Sequence, residues 1–174
     1  MLLYHPYSDA RHCVFRLLRL LEHVGAREVE LQRLRIWDFY LLFPEALTLI
    51  RLPQGNTKLK RQLEAGRNSY DVMPDAKRAF ARLEPMQEAA VKHLAAKGLI
   101  DAKKLSDGKV SRTATALPDV LRSIIVERNA SAAALVNFLT TTFFTLELYG
   151  AQGVRQRTDL FDHRYDLQRT TAAT

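Results

Sequence analysis

Cysteine is nearly missing from this chain of 174 residues, and glycine is scarce. The single cysteine, Cys13, cannot form an internal disulfide, so apolar residues, at 47% of the sequence, must supply the core. This cysteine usage is typical of a reducing compartment, and we expect the cytoplasm. Seven glycines form neither a phosphate-binding loop nor a nucleophile elbow. The N-terminal segment has no basic leader before a long apolar run, so we expect no signal peptide.

Metal-ligand patterns and long apolar runs are also lacking. Of five histidines, only His5 and His12 are close in sequence, and no cysteine or carboxylate pair completes a metal site beside them. Residues 130–146 carry no charge but include Asn137 and four threonines, which favours a buried helix over a membrane span. We therefore predict a protein without enzymatic activity, metal or cofactor, which works by binding other macromolecules.

The charge is unevenly distributed along the chain. The formal net charge is +7, and residues 53–113 contain 13 basic and 7 acidic side chains, whereas the flanking regions are nearly balanced. An anionic partner would experience this excess. Ordinary solubility is an equally good explanation.

The clearest helix is predicted at residues 9–24, with Ser8 as N-cap and Gly25 as the C-terminal stop. Its apolar residues recur at three- and four-residue spacing and form one stripe: Ala10, Cys13, Val14, Leu17, Leu18, Leu21 and Val24. We expect the opposite face to point toward water, with Arg11, Arg16, Arg19, Glu22 and His23.

A second helix is predicted from about residue 28 to 43, ending where Pro44 cannot donate a hydrogen bond. Its segment 36–43 is apolar on nearly every side, so it lies either in the centre of the core or partly under a partner. On the second alternative, the candidate partner interface includes Trp37, Phe39 and Tyr40.

The sequence pattern changes after residue 52, which suggests a boundary between two structural units. Residues 1–52 form an N-terminal helical part, and residues 53–73, interrupted by proline and glycine, form a basic linker or long loop. Residues 74–113 then predict a short helix, a second helix beginning at Pro85, and a hairpin with its turn at 106–108. We therefore predict a mainly α protein with a winged-helix-like unit of two helices and a short β-hairpin.

A winged helix suggests a nucleic-acid surface. Its second helix can enter the major groove while the hairpin tip approaches the backbone. The candidate nucleic-acid contacts are Lys92, Lys97, Lys103, Lys104, Lys109 and Arg112. Winged helices also serve as protein–protein adaptors, and this alternative has equal weight.

The C-terminal third is predicted to return to helix. Residues 114–150 contain helices at 118–129 and 131–149 that pack on the rest, with Leu117, Leu121, Ile124 and Ile125 inward. Residues 151–174 alternate charged and aromatic side chains and predict a tail without structure of its own. It adds further candidates to the partner interface: Arg155, Arg157, Phe161, Arg164 and Tyr165.

Two segments carry a family resemblance, Tyr4-His5-Pro6-Tyr7-Ser8-Asp9-Ala10 and Asp38-Phe39-Tyr40-Leu41-Leu42-Phe43-Pro44. The sequence resembles, mainly over residues 4–50, the middle components of bacterial three-component ABC-ATPase systems, including accessory subunits of Lamassu-type antiphage defence. The resemblance supplies no catalytic residue. It implies a non-enzymatic subunit that bridges an SMC-like ABC ATPase and an effector, which is often a nuclease.

The alternative function is a free-standing winged-helix DNA-binding regulator. Such a protein would read base edges with side chains of its second helix, typically arginine, asparagine or glutamine. Residues 85–97 offer Gln87, Lys92 and His93 and no arginine. This composition weakens sequence-specific readout and leaves non-specific DNA contact open.

Overall fold

The computed structural model describes residues 9–66 and 75–161. These residues confirm a mainly helical fold with a small antiparallel sheet. In chain order the elements are α1 (Ala10–Val24), β1 (Val29–Glu30), α2 (Leu31–Leu42), a 3-10 helix (Pro44–Leu49), α3 (Thr57–Ala65), α4 (Ala76–Ala96), α5 (Ala102–Ser106), β2 (Lys109–Val110), α6 (Asp119–Ser131), α7 (Ala133–Asn137), a π-helical segment (Phe138–Thr142), α8 (Phe143–Thr145) and α9 (Val154–Thr158). Within the described ranges, every helix is too short or too polar to cross a bilayer.

Helix α1 forms where its apolar stripe predicts. Its N-cap is Asp9, not Ser8, because the Asp9 carboxylate accepts the backbone N–H groups of the first turn. Gly25 ends the helix with φ 71°. One expectation for the polar face is wrong: Arg16 is only 7% exposed and points into the core.

Helix α2 lies in the centre of the core, and every residue from Arg33 to Tyr40 is buried. Its aromatic rings contact rings from other helices: Phe39 lies 5.8 Å from Phe80, and Tyr40 lies 6.1 Å from Phe143. The ring of Trp37 packs 5.8 Å from that of Phe144. The alternative of intramolecular burial therefore describes this apolar segment.

Helix α4 is one continuous helix, so the predicted division into two helices at Pro85 is wrong. Proline removes one hydrogen bond, to the carbonyl of Ala81 four residues earlier. Both residues are exposed, so water can solvate that carbonyl. Leu83 and Gln87 are buried on either side of the proline and keep the two halves of the helix on one packing surface.

The sheet joins the predicted N-terminal part to the predicted winged-helix-like unit. Strand β1 pairs with β2 in antiparallel register, Val29 with Val110. The predicted hairpin pairing is present as an isolated bridge between Ile100 and Arg112. Between these two segments the chain forms α5, because the Asp101 carboxylate accepts two backbone N–H groups and starts a helical turn.

The C-terminal helices differ from the prediction. Helix α6 begins directly after Pro118, as predicted, but the single helix predicted for 131–149 is wrong, since helical structure ends at Thr145 and includes a π-helical segment. In that segment the Thr140 hydroxyl donates to the Val136 carbonyl at 2.7 Å and competes with the α-helical hydrogen bonds. Directly after the π-helical segment, the carbonyl of Phe143 accepts a hydrogen bond from the Arg33 side chain of α2 at 2.9 Å.

The predicted tail is folded as far as Phe161. Gly153 permits a tight turn there, because a Cβ at this position would lie 2.2 Å from the carbonyl oxygen of Tyr149. Val154 and Leu160 are buried at 0% and 3% exposure, and the ring of Phe161 packs 4.9 Å from Phe80. The expectation of a tail without structure is therefore wrong for this part.

Candidate nucleic-acid and partner surfaces

A buried polar network joins α1, α2 and α4. Asp38, with 0% exposure, accepts hydrogen bonds from Arg16 Nε at 2.7 Å, Arg16 Nη2 at 3.2 Å and Gln87 Nε2 at 2.9 Å. Gln87 Oε1 in turn accepts from Arg35 Nε at 3.0 Å, and Arg35 Nη1 donates to Glu84 Oε1 at 3.0 Å at the surface. The network thus runs from the centre of the core to its edge with each charge paired.

The charges and the burial of this network shift the pKa values of two side chains, Arg16 and Cys13. Burial would lower the pKa of Arg16, but hydrogen bonding and attraction to Asp38 outweigh it and raise that pKa. Burial, together with the negative charge of Asp38, raises the pKa of the Cys13 thiol to about 12. The thiol is therefore protonated and a poor nucleophile.

Three of the six predicted nucleic-acid contacts bind other parts of the chain. Lys104 and Lys109 both contact the Glu28 carboxylate, at 3.2 and 2.8 Å, and their hydrogen bonds lower the pKa of Glu28. Arg112 donates to the carboxylate of Glu22 and to the carbonyls of Leu99 and Thr115, and its side chain is only 9% exposed. This arginine fixes the end of the bridge between residues 100 and 112.

The other three predicted contacts, Lys92, Lys97 and Lys103, are exposed. Because α4 is continuous, it adds two basic residues that the sequence analysis missed, Arg78 and Arg82. The signal was available: the apolar three- and four-residue spacing continues through Pro85 without a change of phase, over Ala79, Phe80, Leu83, Ala90, Val91 and Leu94.

The predicted partner residues lie largely inside the fold. Trp37, Phe39 and Tyr40 are at most 1% exposed, so in this conformation they form the chain's own core and no partner surface. Arg155 stacks over the rings of Tyr149 and Phe161, at 5.3 and 4.3 Å from their centroids.

Arg157 also contacts its own chain, through the Gln152 carbonyl at 2.7 Å and the Arg51 carbonyl at 3.3 Å. Its guanidinium holds α9 against the segment that follows the 3-10 helix. The last two predicted partner residues, Arg164 and Tyr165, lie outside the described residues.

An exposed apolar surface occurs instead on α6. Val120 is 74% exposed, Ile124 41% and Val126 62%, whereas Ile125 is the one buried residue of this helix. The expectation that Ile124 points inward is therefore wrong. Val120 and Ile124 lie one turn apart on the same side of the helix, and we call these two exposed side chains the α6 surface, whereas Val126 lies on another side. Sequence spacing missed this surface because the three consecutive β-branched apolar residues at 124–126 do not indicate which side of the helix is covered.

Hydrogen bonds attach the C-terminal end of α6 to α1. Arg19 donates from Nε to Asn129 Oδ1 at 3.0 Å and from Nη2 to the Arg128 carbonyl at 2.7 Å. Asn129 Nδ2 returns a hydrogen bond to the Arg19 carbonyl at 3.0 Å. Burial, with the nearby charges of Arg128 and Arg16, lowers the pKa of Arg19.

Over residues 9–66 and 75–161 no group of three metal-binding side chains comes together. No curated protein and no solved structure matches the sequence at a significant level. A family model does match, over residues 2–166, a range that includes every described element. The chain therefore belongs to the family described as ABC-three component (ABC-3C) system Middle Component 5, and its role in such a system is an accessory one.

Proposed function

We propose that this chain is a non-catalytic subunit that bridges the ABC ATPase and the effector of its three-component system. In this proposal the ATPase is SMC-like, and the effector belongs to a class of subunits that are often nucleases. The complex acts in the cytoplasm, in antiphage defence of the Lamassu type. Family membership supports the accessory role. The α6 surface is the observation that supports the bridging.

Helix α6 is weakly supported by its own chain. It has 13 residues, of which Ile125 alone is fully buried. Isolated helices of this length are marginal in water, and β-branched side chains lower helix propensity further. Single exposed apolar residues are ordinary, but two that lie one turn apart on the same side of a short helix form a surface that a partner can cover.

The spacing on α6 suits a groove in another protein. Val120 and Ile124 are four residues apart and lie on one side of the helix, one turn from each other. A groove that receives an amphipathic helix reads such i and i+4 positions. We infer that one neighbouring subunit covers this side of α6.

The proposal includes a wider winged helix. The elements α1, β1, α2, α4 and the two antiparallel segments within residues 99–112 follow one another in this order, with the 3-10 helix and α3 inserted before α4 and α5 between the two segments. We interpret these elements together as a winged-helix arrangement in which α4 takes the position of the recognition helix. A free-standing regulator is less favoured, because Lys104, Lys109 and Arg112 bind this chain's own acids.

The test is assembly of the complex from its three purified components. Val120→Glu combined with Ile124→Glu places two charges on the α6 surface, and truncation at a binding hot spot costs about 2 kcal/mol or more. We expect loss of the complex with little change in the thermal stability of the chain, because both side chains are exposed. Leu49→Glu is the matched control, since Leu49 is 63% exposed and lies outside α6.

Two results would contradict the proposal. Full assembly of the double variant would show that α6 is not the contact. Equal loss with Leu49→Glu would show a general effect of surface charge. The isolated chain is also expected to hydrolyse neither ATP nor DNA, and turnover that survives stringent purification would refute the non-catalytic role.

A further inference from the structure

We propose that the outward side of α4 binds the phosphate backbone of duplex DNA, with Arg78 and Arg82 as the principal contacts. The proposal deepens the DNA-binding alternative with residues that only a continuous α4 brings together. It does not depend on the bridging role, because it concerns a different helix and is tested on the isolated chain.

Helical geometry places the basic residues on one line. At 100° per residue, the positions opposite the buried stripe of α4 recur every three or four residues. This line, which we call the α4 ridge, consists of Arg78, Arg82, Pro85, Ala89, Lys92 and Ala96, all of them exposed. Arg78 and Lys92 are separated by about 21 Å along the helix axis at 1.5 Å per residue.

The ridge has an unbalanced positive charge. Among the described residues, Arg78, Arg82 and Lys92 form no ion pair. The nearby acids are mostly engaged, since Glu84 binds Arg35 and the Asp75 carboxylate caps the helix by accepting from the Arg78 backbone N–H. Glu88 remains, at the side of the ridge.

The centre of the ridge is flat. Pro85 and Ala89, between the arginines and Lys92, carry small side chains, so the helix backbone can approach a partner closely. The major groove of B-DNA is about 12 Å wide and admits an α-helix. Cations near both ends of an uncharged centre suit a helix that lies in this groove and contacts phosphates at both ends.

The opposite side of α4 is held in place. Gln87 donates to Asp38 at 2.9 Å and to the Arg35 carbonyl at 3.1 Å, and it accepts from Arg35 Nε at 3.0 Å. The helix is therefore positioned before binding and loses little freedom on contact.

The chemistry of the ridge favours DNA over other partners. Protein interfaces are typically anchored by aromatic side chains together with arginine, whereas the ridge has no aromatic side chain and its apolar part is alanine and proline. Duplex RNA has a deep, narrow major groove that does not receive side chains. Because Arg78 and Arg82 contact phosphates in this proposal and no asparagine or glutamine lies on the ridge, we expect binding without sequence preference.

Fluorescence anisotropy with a random duplex of roughly 20 base pairs, about two helical turns, tests the proposal on the full chain. We expect dissociation constants of about 10⁻⁴–10⁻⁶ M at physiological salt. Arg78→Ala with Arg82→Ala should lower the affinity about tenfold or more at low salt and reduce the log–log salt slope by about 1.8, since each phosphate contact contributes about 0.9. Arg78→Lys with Arg82→Lys should retain most of the affinity and most of the salt slope, because lysine keeps the positive charge.

Arg122→Ala with Arg128→Ala is the matched control, because it removes the same charge from exposed positions of α6. Its salt slope should remain that of the unmodified chain. Absence of binding by the unmodified chain, equal losses in both double variants, or tighter binding to duplex RNA would each overturn the proposal. Circular dichroism melting checks that the variants are folded. The Arg78/Arg82 variant should still assemble with the other components, which separates this result from a failure of the bridging proposal.

Discussion

Helices α4 and α6 both pack against α1, but they are embedded to very different degrees. Helix α4 buries seven of its 21 residues, including Gln87, whereas α6 buries one of 13. The position of α4 is fixed by apolar packing and by a polar network that is satisfied only in one arrangement of the three helices. The position of α6 is fixed by Leu117, Ile125 and the hydrogen bonds of Asn129.

This difference separates two kinds of surface. The α4 ridge is the outer side of a helix whose inner side is closed by the core, so its geometry does not depend on a partner. The α6 surface belongs to a helix with few buried contacts, and such elements open with a smaller free energy than the core does. We infer that partner binding stabilises α6 and leaves α4 unchanged.

The largest effect is expected from breaking the polar network at α4. Asp38→Ala leaves the guanidinium of Arg16 buried without its carboxylate, and removal of one partner of a buried pair costs about 3–5 kcal/mol. Urea denaturation of the isolated chain measures this loss. A free energy of unfolding within about 1 kcal/mol of the unmodified value would show that the network does not fix α4.

Glu84→Ala is the control for that measurement. Glu84 belongs to the same network but its side chain is 45% exposed, and exposed ion pairs contribute about 0–1 kcal/mol. The two variants together therefore show whether burial or mere connection to the network determines the cost.

Removing the single buried residue of α6 should have a smaller and more local effect. Ile125→Ala removes buried methyl groups, and such changes cost about 2–5 kcal/mol where the surroundings stay fixed. Because α6 has few other buried contacts, we expect the lower end of this range. Amide hydrogen exchange should accelerate across 119–131 more than across α4. Equal acceleration in both helices would show that they unfold as one unit.

Removing the proline from α4 should stabilise the chain. Pro85→Ala restores an N–H donor for the Ala81 carbonyl and replaces the poorest helix former, so we expect a gain of about 1–3 kcal/mol in the free energy of unfolding. Thermal denaturation measures it. Ala89→Gly, at an exposed position one turn later, is the control and should cost about 1 kcal/mol. A loss of stability in the proline variant would show that α4 requires the distortion.

Several elements could be predicted because one local signal determined them. The apolar stripe of α1 depends on spacing, and its stop at Gly25 depends on a backbone conformation that glycine adopts, φ 71° here. The family resemblance, stated on residues 4–50, is confirmed over nearly the whole chain.

The errors share a physical reason, which is tertiary context. Pro85 is a local helix breaker, but packing on both sides of it keeps α4 continuous. The helical pattern predicts that the Arg16 side chain points toward water, because its buried partner, Asp38, is 22 residues away in sequence and is not visible to a local pattern. Val154 and Leu160 lie in a segment too short to show a hydrophobic periodicity, so the sequence predicts a tail there, although both side chains are buried in the core. For the same reason the exposed side of α6 could not be identified.

The smallest effect is expected on the α6 surface itself. Val120→Ala on the α6 surface, and Val126→Ala as its control on another side of the helix, remove side chains that are 74% and 62% exposed, so little apolar contact is lost, while alanine has the higher helix propensity. We expect a change within about 0.5 kcal/mol, or a slight stabilisation, measured by urea denaturation of the isolated chain. A cost above about 1 kcal/mol would show that these valines support the chain's own fold. If the stability of the isolated chain is unchanged by both variants while Val120→Ala alone weakens the assembled complex, the cost appears only when a partner covers this side of α6. That result would distinguish an exposed binding surface from incidental exposure, because a side chain without a role in either state would leave both measurements unchanged.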